Sequence, residues 1–245
     1  MRGLESVLAA REFIESLKMD GAALDEDPAA YLNPGRFVDS DSPTVIDFAE
    51  RTAGDAKTDA EKTRRLFYAV RDKILYDPYT PLGSPDSYRA SSCIEAGRGF
   101  CIPKAALLTA SARALGISAR VGYSDVRNHL ATPRLLELLG TDVFTWHGFS
   151  EIYLEGRWVK VTPTFNKSLC EKFGVKTLEF DGRNDSLLHP FDNENRRHME
   201  YVKNRGVYAD VPFEAITTTF QEKHPEIYAK GQGAGGDFQN EAGAS

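Results

Sequence analysis

Two short alternating runs, Gly148 to Leu154 and Arg157 to Val161, are separated only by Glu155-Gly156. A connection of two residues containing glycine predicts a tight hairpin between two antiparallel strands. In that register Glu151 faces Lys160, and alternation gives the hairpin one apolar face and one polar, aromatic face. The chain is therefore expected to contain an antiparallel sheet that packs on one side.

Helical patterns accompany this hairpin along the chain. Thr58, with Glu61 three residues later, predicts a capping box at the start of a helix. Gly116 is a helix stop directly after an alanine- and leucine-rich run. The remaining expected elements are helices at Leu4–Leu17, Thr44–Thr52, Ala105–Leu115 and Thr132–Leu139, and a strand at Ser118–Tyr123. Helices beside an antiparallel sheet indicate the α+β fold class.

The length of 245 residues and the 41% hydrophobic content predict one folded domain over residues 1–230. Beyond Asn166 the chain is polar, and loops are expected there. The glycine-, alanine- and glutamine-rich residues 231–245 are expected to be disordered.

Composition excludes several classes of protein. A net charge of −6 argues against nucleic-acid and membrane-surface partners. No apolar run is long enough for a transmembrane helix, and the charged N-terminal run does not read as a signal peptide. Three cysteines without CxxC spacing or paired histidines predict neither a disulfide framework nor a structural zinc site. A cytoplasmic location, with no metal and no cofactor, is therefore expected.

The segment from Gly99 to Lys104 is the main candidate for chemistry. The glycine allows a tight turn, and Pro103 suits the first turn of a helix. Cys101 would then lie at the helix start, where free N–H groups and the helix dipole lower the pKa of a thiol. We expect Cys101 to be a nucleophile that alkylates faster than Cys93 or Cys170.

A cysteine nucleophile needs a nearby base, and His147 is the best candidate. The hairpin register places His147 on the same face as Thr162, within diagonal reach. We therefore expect Cys101 and His147 to lie within hydrogen-bond reach of each other, with Thr162 nearby.

These motifs resemble the transglutaminase-like superfamily of papain-like cysteine enzymes. The matching segments are Gly99-Phe100-Cys101, the helix to Leu115, Gly116-Ile117-Ser118-Ala119-Arg120-Val121, and His147 through Trp158, within about residues 64–166. The resemblance implies a papain-like α+β core, with the Cys on a helix and the His on an antiparallel sheet. It also implies acyl transfer, with Cys101 as nucleophile and His147 as general base and acid.

The sequence departs from this family at one position. The family usually has Asp fifteen residues after the His, where this chain has Thr162. A threonine can orient an imidazole but cannot stabilise imidazolium by charge. Asn166 and Asp142 are alternative orienting groups, since a neutral third residue can serve a Cys–His pair.

Arg127, His129 and Asn166 are candidate substrate-binding residues, while Arg98 and Lys104 are expected to be surface charges. His189, His198 and His224 lie in polar surroundings and are expected to be exposed. The expected substrate is a peptide, a protein or a small amide or acid.

Three alternatives stay open at this level. One is an isomerase or lyase that uses the same thiolate on a small polar acid. Another is a catalytically inactive binding protein, favoured by Thr162, and the third is a peptide crosslinker.

Overall fold

The computed structural model describes residues 27–129, 131–188, 194, 198–230 and 238–241. The predicted helix Leu4–Leu17 lies outside these residues. The α-helices are α1 Pro43–Ala53, α2 Asp59–Lys73, α3 Ala90–Ala96, α4 Cys101–Ala114, α5 Pro133–Leu139, α6 Lys167–Phe173, α7 Phe213–Lys223, α8 Pro225–Lys230 and α9 Phe238–Glu241. The strands are β1 Leu75–Tyr76, β2 Arg98–Gly99, β3 Ala119–Asn128, β4 Val143–Leu154, β5 Arg157–Val161 and β6 Met199–Tyr208.

Helix α2 forms as its sequence predicts. The Thr58 hydroxyl accepts a hydrogen bond from the backbone N–H of Glu61, and the Glu61 carboxylate accepts one from the backbone N–H of Thr58. The buried stripe of this helix includes Leu66, Phe67 and Val70. A capped, amphipathic helix of this kind has one face to bury, and α2 buries it against α1 and α4.

Helix α4 is the centre of the core. Its residues from Ile102 to Arg113 are all buried. The helix is buried on every side because it lies between α1, α2 and α3 on one flank and β3 and β4 on the other. Cys101 is consequently held at the end of the most enclosed element in the fold.

The main sheet is antiparallel, with the strand order β5-β4-β3-β6. The predicted hairpin register is confirmed: Leu154 pairs with Arg157 and Glu151 pairs with Lys160. Both turn residues, Glu155 and Gly156, have positive φ, of 49° and 83°. A tight turn with two positive φ values matches the twist of the flanking strands.

The chain after Asn166 is more ordered than its polar composition predicts. Strand β6 pairs with β3, and α7 and α8 follow it. The alternation that would reveal β6 is missing, because most of its residues are half-buried or exposed at the sheet edge. Helix α3 was not predicted either.

Within the predicted disordered tail, residues 231–245, the structure describes residues 238–241, which form α9 and bury Phe238. An apolar side chain docked on an existing core can order a segment of low helix propensity. Residues 231–237 and 242–245 lie outside the described part of the chain. Among the helices described, none is both long and apolar enough to cross a bilayer.

Candidate active site

Cys101 is the first residue of α4, directly after β2 and the N-cap residue Phe100. The backbone of β4 passes very close to this helix start at Gly148. A Cβ on Gly148 would lie 3.0 Å from Cα of Ile102 and 3.2 Å from the carbonyl oxygen of Cys101. Glycine at this position therefore lets the strand that carries His147 approach the cysteine.

Two opposing effects set the pKa of the Cys101 thiol. Burial is the larger and raises it to about 11, while the backbone N–H groups of Gly148 and Ile102 near the sulfur lower it by a smaller amount. The expectation of a depressed pKa is thus wrong, because removal from water penalises the thiolate more than the donors stabilise it.

His147 lies on β4, directly across from Ser124 of β3. Just before it the register shifts, and Trp146 has a φ of +60°, so a bulge in β4 sets the direction of the imidazole. The His147 side chain is 4% exposed, and burial lowers its pKa to about 4. The imidazole is therefore neutral at neutral pH.

Nε2 of His147 is buried and has no hydrogen-bond partner among the residues that the structure describes. Thr162 is on the same face of the sheet, since Val161 pairs with Ser150 on the opposite face. The Thr162 hydroxyl lies beside that of Tyr201 and makes no bond to Nε2. Thr162 is placed as predicted, but it does not orient the imidazole by a direct hydrogen bond.

The two alternative orienting groups are occupied elsewhere. The Asn166 side chain accepts from the backbone N–H of Tyr76 at 3.0 Å and donates to Ser168 and Gln239. Asp142 forms an ion pair with Arg127, 3.2 Å long, at the protein surface. Asn166 therefore ties β1 to the start of α6, and neither residue reaches His147.

Arg127 and His129 do not line the cavity that contains Cys101. Arg127 pairs with Asp142 and Glu200, and Nε2 of His129 lies 3.5 Å from the same Glu200 carboxylate. The neighbouring residues Val126 and Asn128 face the cavity instead. The sequence pattern indicated this polar strand end, but the residues predicted from it, Arg127 and His129, point away from the cavity.

One cavity, of about 70 Å³, has both Cys101 and His147 in its wall. Its polar lining otherwise consists of Asn128, Thr145 and His224. The apolar lining residues are Tyr76, Pro78, Leu82, Phe100, Val126, Leu135, Leu139, Phe144, Phe165, Met199, Phe220, Ile227 and Phe238. Such a wall suits an apolar or aromatic group.

His224 is the residue of this site that sequence reasoning missed. It was predicted to be exposed, but it is 2% exposed and lies in the cavity wall. Its Nδ1 lies 3.0 Å from the carbonyl oxygen of Leu139, and its Nε2 lies 3.1 Å from Oγ1 of Thr145. Because a carbonyl only accepts, Nδ1 donates there and Nε2 accepts from the hydroxyl. Only the fold reveals this pair, since Thr145 and His224 are 79 residues apart.

Three further residues, Lys104, His198 and His189, were also predicted to be exposed. Lys104 is fully buried, donates to the carbonyls of Arg71 and Ile74 at the end of α2, and has a pKa lowered to about 7 by burial. A cation at a helix C-terminus is favourable there. His198 is buried, and His189 lies outside the described residues. No group of three metal-ligating side chains occurs among the residues described.

Fold and site together define a papain-like arrangement, with a cysteine on a helix start and a histidine on an antiparallel sheet. The transglutaminase-like superfamily matches residues 46–163 of the chain, from α1 to just beyond β5. The match includes both Cys101 and His147. The core of the chain, residues 46–163, is therefore similar to the transglutaminase-like superfamily.

Solved structures with a similar arrangement share little sequence with this chain. A proposed cysteine protease from Cytophaga hutchinsonii is 19% identical and has a TM-score of 0.48, with 79% of this chain and 51% of the other covered. A proposed protease from Parabacteroides distasonis is 15% identical, with a TM-score of 0.34 and coverage of 56% and 26%. A transglutaminase structure is 13% identical, with a TM-score of 0.35 and coverage of 66% and 39%.

The chain thus spans about half or less of the length of these solved proteins. No curated protein matches it in sequence.

Proposed function

We propose that this protein is a cysteine enzyme that transfers or hydrolyses the acyl group of an amide or related carbonyl compound. One observation carries the proposal. Cys101, with backbone donors directed at its sulfur, and a neutral His147 share the wall of one cavity within the superfamily core. The superfamily match supports cysteine chemistry in general, and the acyl-transfer step is proposed from the resemblance to that superfamily.

The pKa values define how the proposed reaction starts. A thiol with a pKa near 11 and an imidazole with a pKa near 4 form a neutral pair at pH 7. His147 then accepts the thiol proton as the sulfur bonds to the carbonyl carbon, and it is not a resident imidazolium. The π-electrons of the carbonyl move to its oxygen.

Backbone N–H groups at the start of α4 are the candidate donors to this oxyanion. As the tetrahedral intermediate collapses, the carbon–nitrogen bond breaks and the imidazolium gives its proton to the leaving amine. A thioester on Cys101 remains. Water or a second amine then attacks it, with His147 again taking a proton, and the thiol is restored.

The cavity wall supports a substrate with an apolar group beside the carbonyl. Acid recognition by Arg127 and His129, as an isomerase or lyase would require, gains no support, because both pair with Glu200 outside the cavity. We keep a peptide, a protein or a small amide as the substrate class. We also propose a cytoplasmic location, since Cys93, Cys101 and Cys170 are all free thiols.

The test is hydrolysis and amine incorporation with an N-acyl peptide library, compared between the wild-type chain and Cys101→Ser. Activity that disappears with Cys101→Ser supports the proposal, and incorporation of an added amine identifies a crosslinker. The unpartnered Nε2 of His147 is the one observation that favours an inactive binding protein. Absence of turnover on amides and active esters alike would establish that second reading.

A further inference from the structure

Helix α9 lies against the catalytic cavity and is held there by side-chain contacts along its length. Phe238 is 5% exposed and forms part of the wall that also contains Cys101 and His147. Its ring contacts those of Tyr76, Tyr79 and Phe173, with centroids 5.5, 6.0 and 5.9 Å away. The Phe238 side chain is therefore enclosed by aromatic side chains next to Cys101.

The next residue of α9, Gln239, is held by hydrogen bonds of its side-chain amide. Gln239 Nε2 donates to the backbone carbonyl of Tyr76 at 2.9 Å, and its Oε1 accepts from Asn166 at 3.1 Å. Tyr76 is the residue of β1 that pairs with Gly99, two residues before Cys101. The segment is thus hydrogen-bonded to the β1–β2 pair, which leads directly into α4.

The last residue of α9 is recognised by its charge. The Glu241 carboxylate lies 2.6 Å from the guanidinium of Arg134 and accepts a hydrogen bond from the Tyr79 hydroxyl, also at 2.6 Å. Arg134 in turn lies 4.9 Å from the centre of the Tyr79 ring. A carboxylate partly shielded from water and bonded to two donors is a specific contact, more than a surface ion pair.

We propose that this groove is a substrate subsite of the acyl-transfer site, selective for a peptide with an aromatic residue followed by an acidic residue three positions later. The inference rests on the proposed function, since it assigns the substrate class of that same site. In this structure Phe238–Glu241 occupies the subsite. The remaining cavity of about 70 Å³ is small for a ligand pocket, so an outside peptide has to displace the segment.

The test measures binding and does not depend on turnover. The full chain carrying Phe238→Ala and Glu241→Gln is titrated by calorimetry with the peptide acetyl-Phe-Gln-Asn-Glu-amide. We expect saturable binding that is about tenfold or more tighter than to the wild-type chain, where the segment competes. Peptides with Ala for Phe or with Gln for Glu should each bind about tenfold more weakly.

Two further variants sharpen the result. Arg134→Met in the same background should abolish the preference for Glu over Gln while leaving the preference for Phe over Ala. Glu222→Gln on the exposed face of α7 is the matched control and should change neither preference. If the double variant does not fold, Glu241→Gln alone replaces it, because that change leaves Phe238 in the core.

Circular dichroism establishes folding before each titration. Equal binding of all peptides, or no saturable binding to a folded variant, would overturn the subsite. The two proposals can fail separately. Selective peptide binding without turnover would support the subsite and contradict the proposed enzyme activity. Turnover that does not depend on Phe238, Glu241 or Arg134 would support the enzyme activity and contradict the subsite.

Discussion

Cys101 is partly buried and Nε2 of His147 is fully buried, but only the sulfur has hydrogen-bond donors near it. Backbone N–H groups of Gly148 and Ile102 point at it. Nε2 has no partner within the described residues, and the position from which the superfamily usually supplies a carboxylate holds Thr162. The site therefore offers hydrogen-bond donors to the sulfur, although burial outweighs them, and offers little to a positive imidazole.

This difference has a chemical consequence. An unassisted imidazolium is costly in a buried site, so proton transfer from the thiol is uphill and the resting pair stays neutral. The energy for attack then has to come from the substrate, through the oxyanion contacts that form only in the transition state. Activity is expected to depend more on acyl-group binding than in an enzyme with a preformed ion pair.

The largest expected effect is that of removing the sulfur. Cys101→Ser should lower kcat/KM by about 10³-fold or more, since a hydroxyl is a far poorer nucleophile beside a weak base. Amide or ester hydrolysis under single-turnover conditions measures it. Cys170→Ser, which removes a thiol outside the site, should retain activity within about threefold. Equal losses in both variants would show that the effect comes through folding.

Removing the base, His147, should have the second-largest effect on kcat/KM. His147→Ala is expected to lower kcat/KM by about 10²- to 10⁴-fold, the usual contribution of general acid–base catalysis. In the wild-type chain the base has to be neutral, so activity should rise with pH through about 4, the pKa of His147, and then level off. A pH–rate profile checks this. An acid limb near pH 6.5 would mean that the imidazole is not desolvated as described.

A smaller effect is expected from supplying the missing carboxylate. Thr162→Asp places an anion on the face of His147 and should raise its pKa above 4, because imidazolium is then stabilised. The acid limb of kcat/KM should move to higher pH, and the plateau should rise by about tenfold for each pKa unit gained. Thr162→Asn, similar in size and neutral, is the control. An unmoved acid limb in the aspartate variant would place residue 162 outside reach of Nε2.

The smallest effect belongs to the hydroxyl itself. Thr162→Val keeps the shape of the side chain and removes an Oγ1 that makes no bond to the imidazole. Activity should change by less than about threefold and the free energy of unfolding by about 1 kcal/mol. Thermal unfolding and the same hydrolysis assay measure the two. A loss of activity comparable to that of His147→Ala would show that Thr162 positions the base after all.

The sequence predicted the parts of this site that depend on local pattern. The capping box at Thr58, the turn at Glu155-Gly156 and the helix that begins at Cys101 all follow from signals within a few residues of each position. The register of β4 and β5 follows from the same turn, because a two-residue loop fixes which residues face each other. These features placed Cys101 at a helix start, His147 on a strand and Thr162 directly after the partner strand.

The parts that were missed depend on contacts between distant segments. Desolvation of Cys101 and His147 arises from elements that cover the site, including β6 and α9, whose sequences show no periodic pattern. His224 and Lys104 are polar residues buried by partners far along the chain, which composition cannot reveal. The pKa of the Cys101 thiol was therefore predicted from the helix start alone. The predicted shift was downward, whereas burial raises the pKa.

The central claim is that Cys101 becomes acylated and that His147 assists. The most direct measurement is mass spectrometry of the protein after brief exposure to p-nitrophenyl acetate, whose acyl group is small enough for the cavity of about 70 Å³. We expect one acyl group, mapped to Cys101, absent from Cys101→Ser and formed and lost more slowly in His147→Ala. Acylation mapped to Cys93, Cys170 or a lysine, or an equal adduct in Cys101→Ser, would contradict the account.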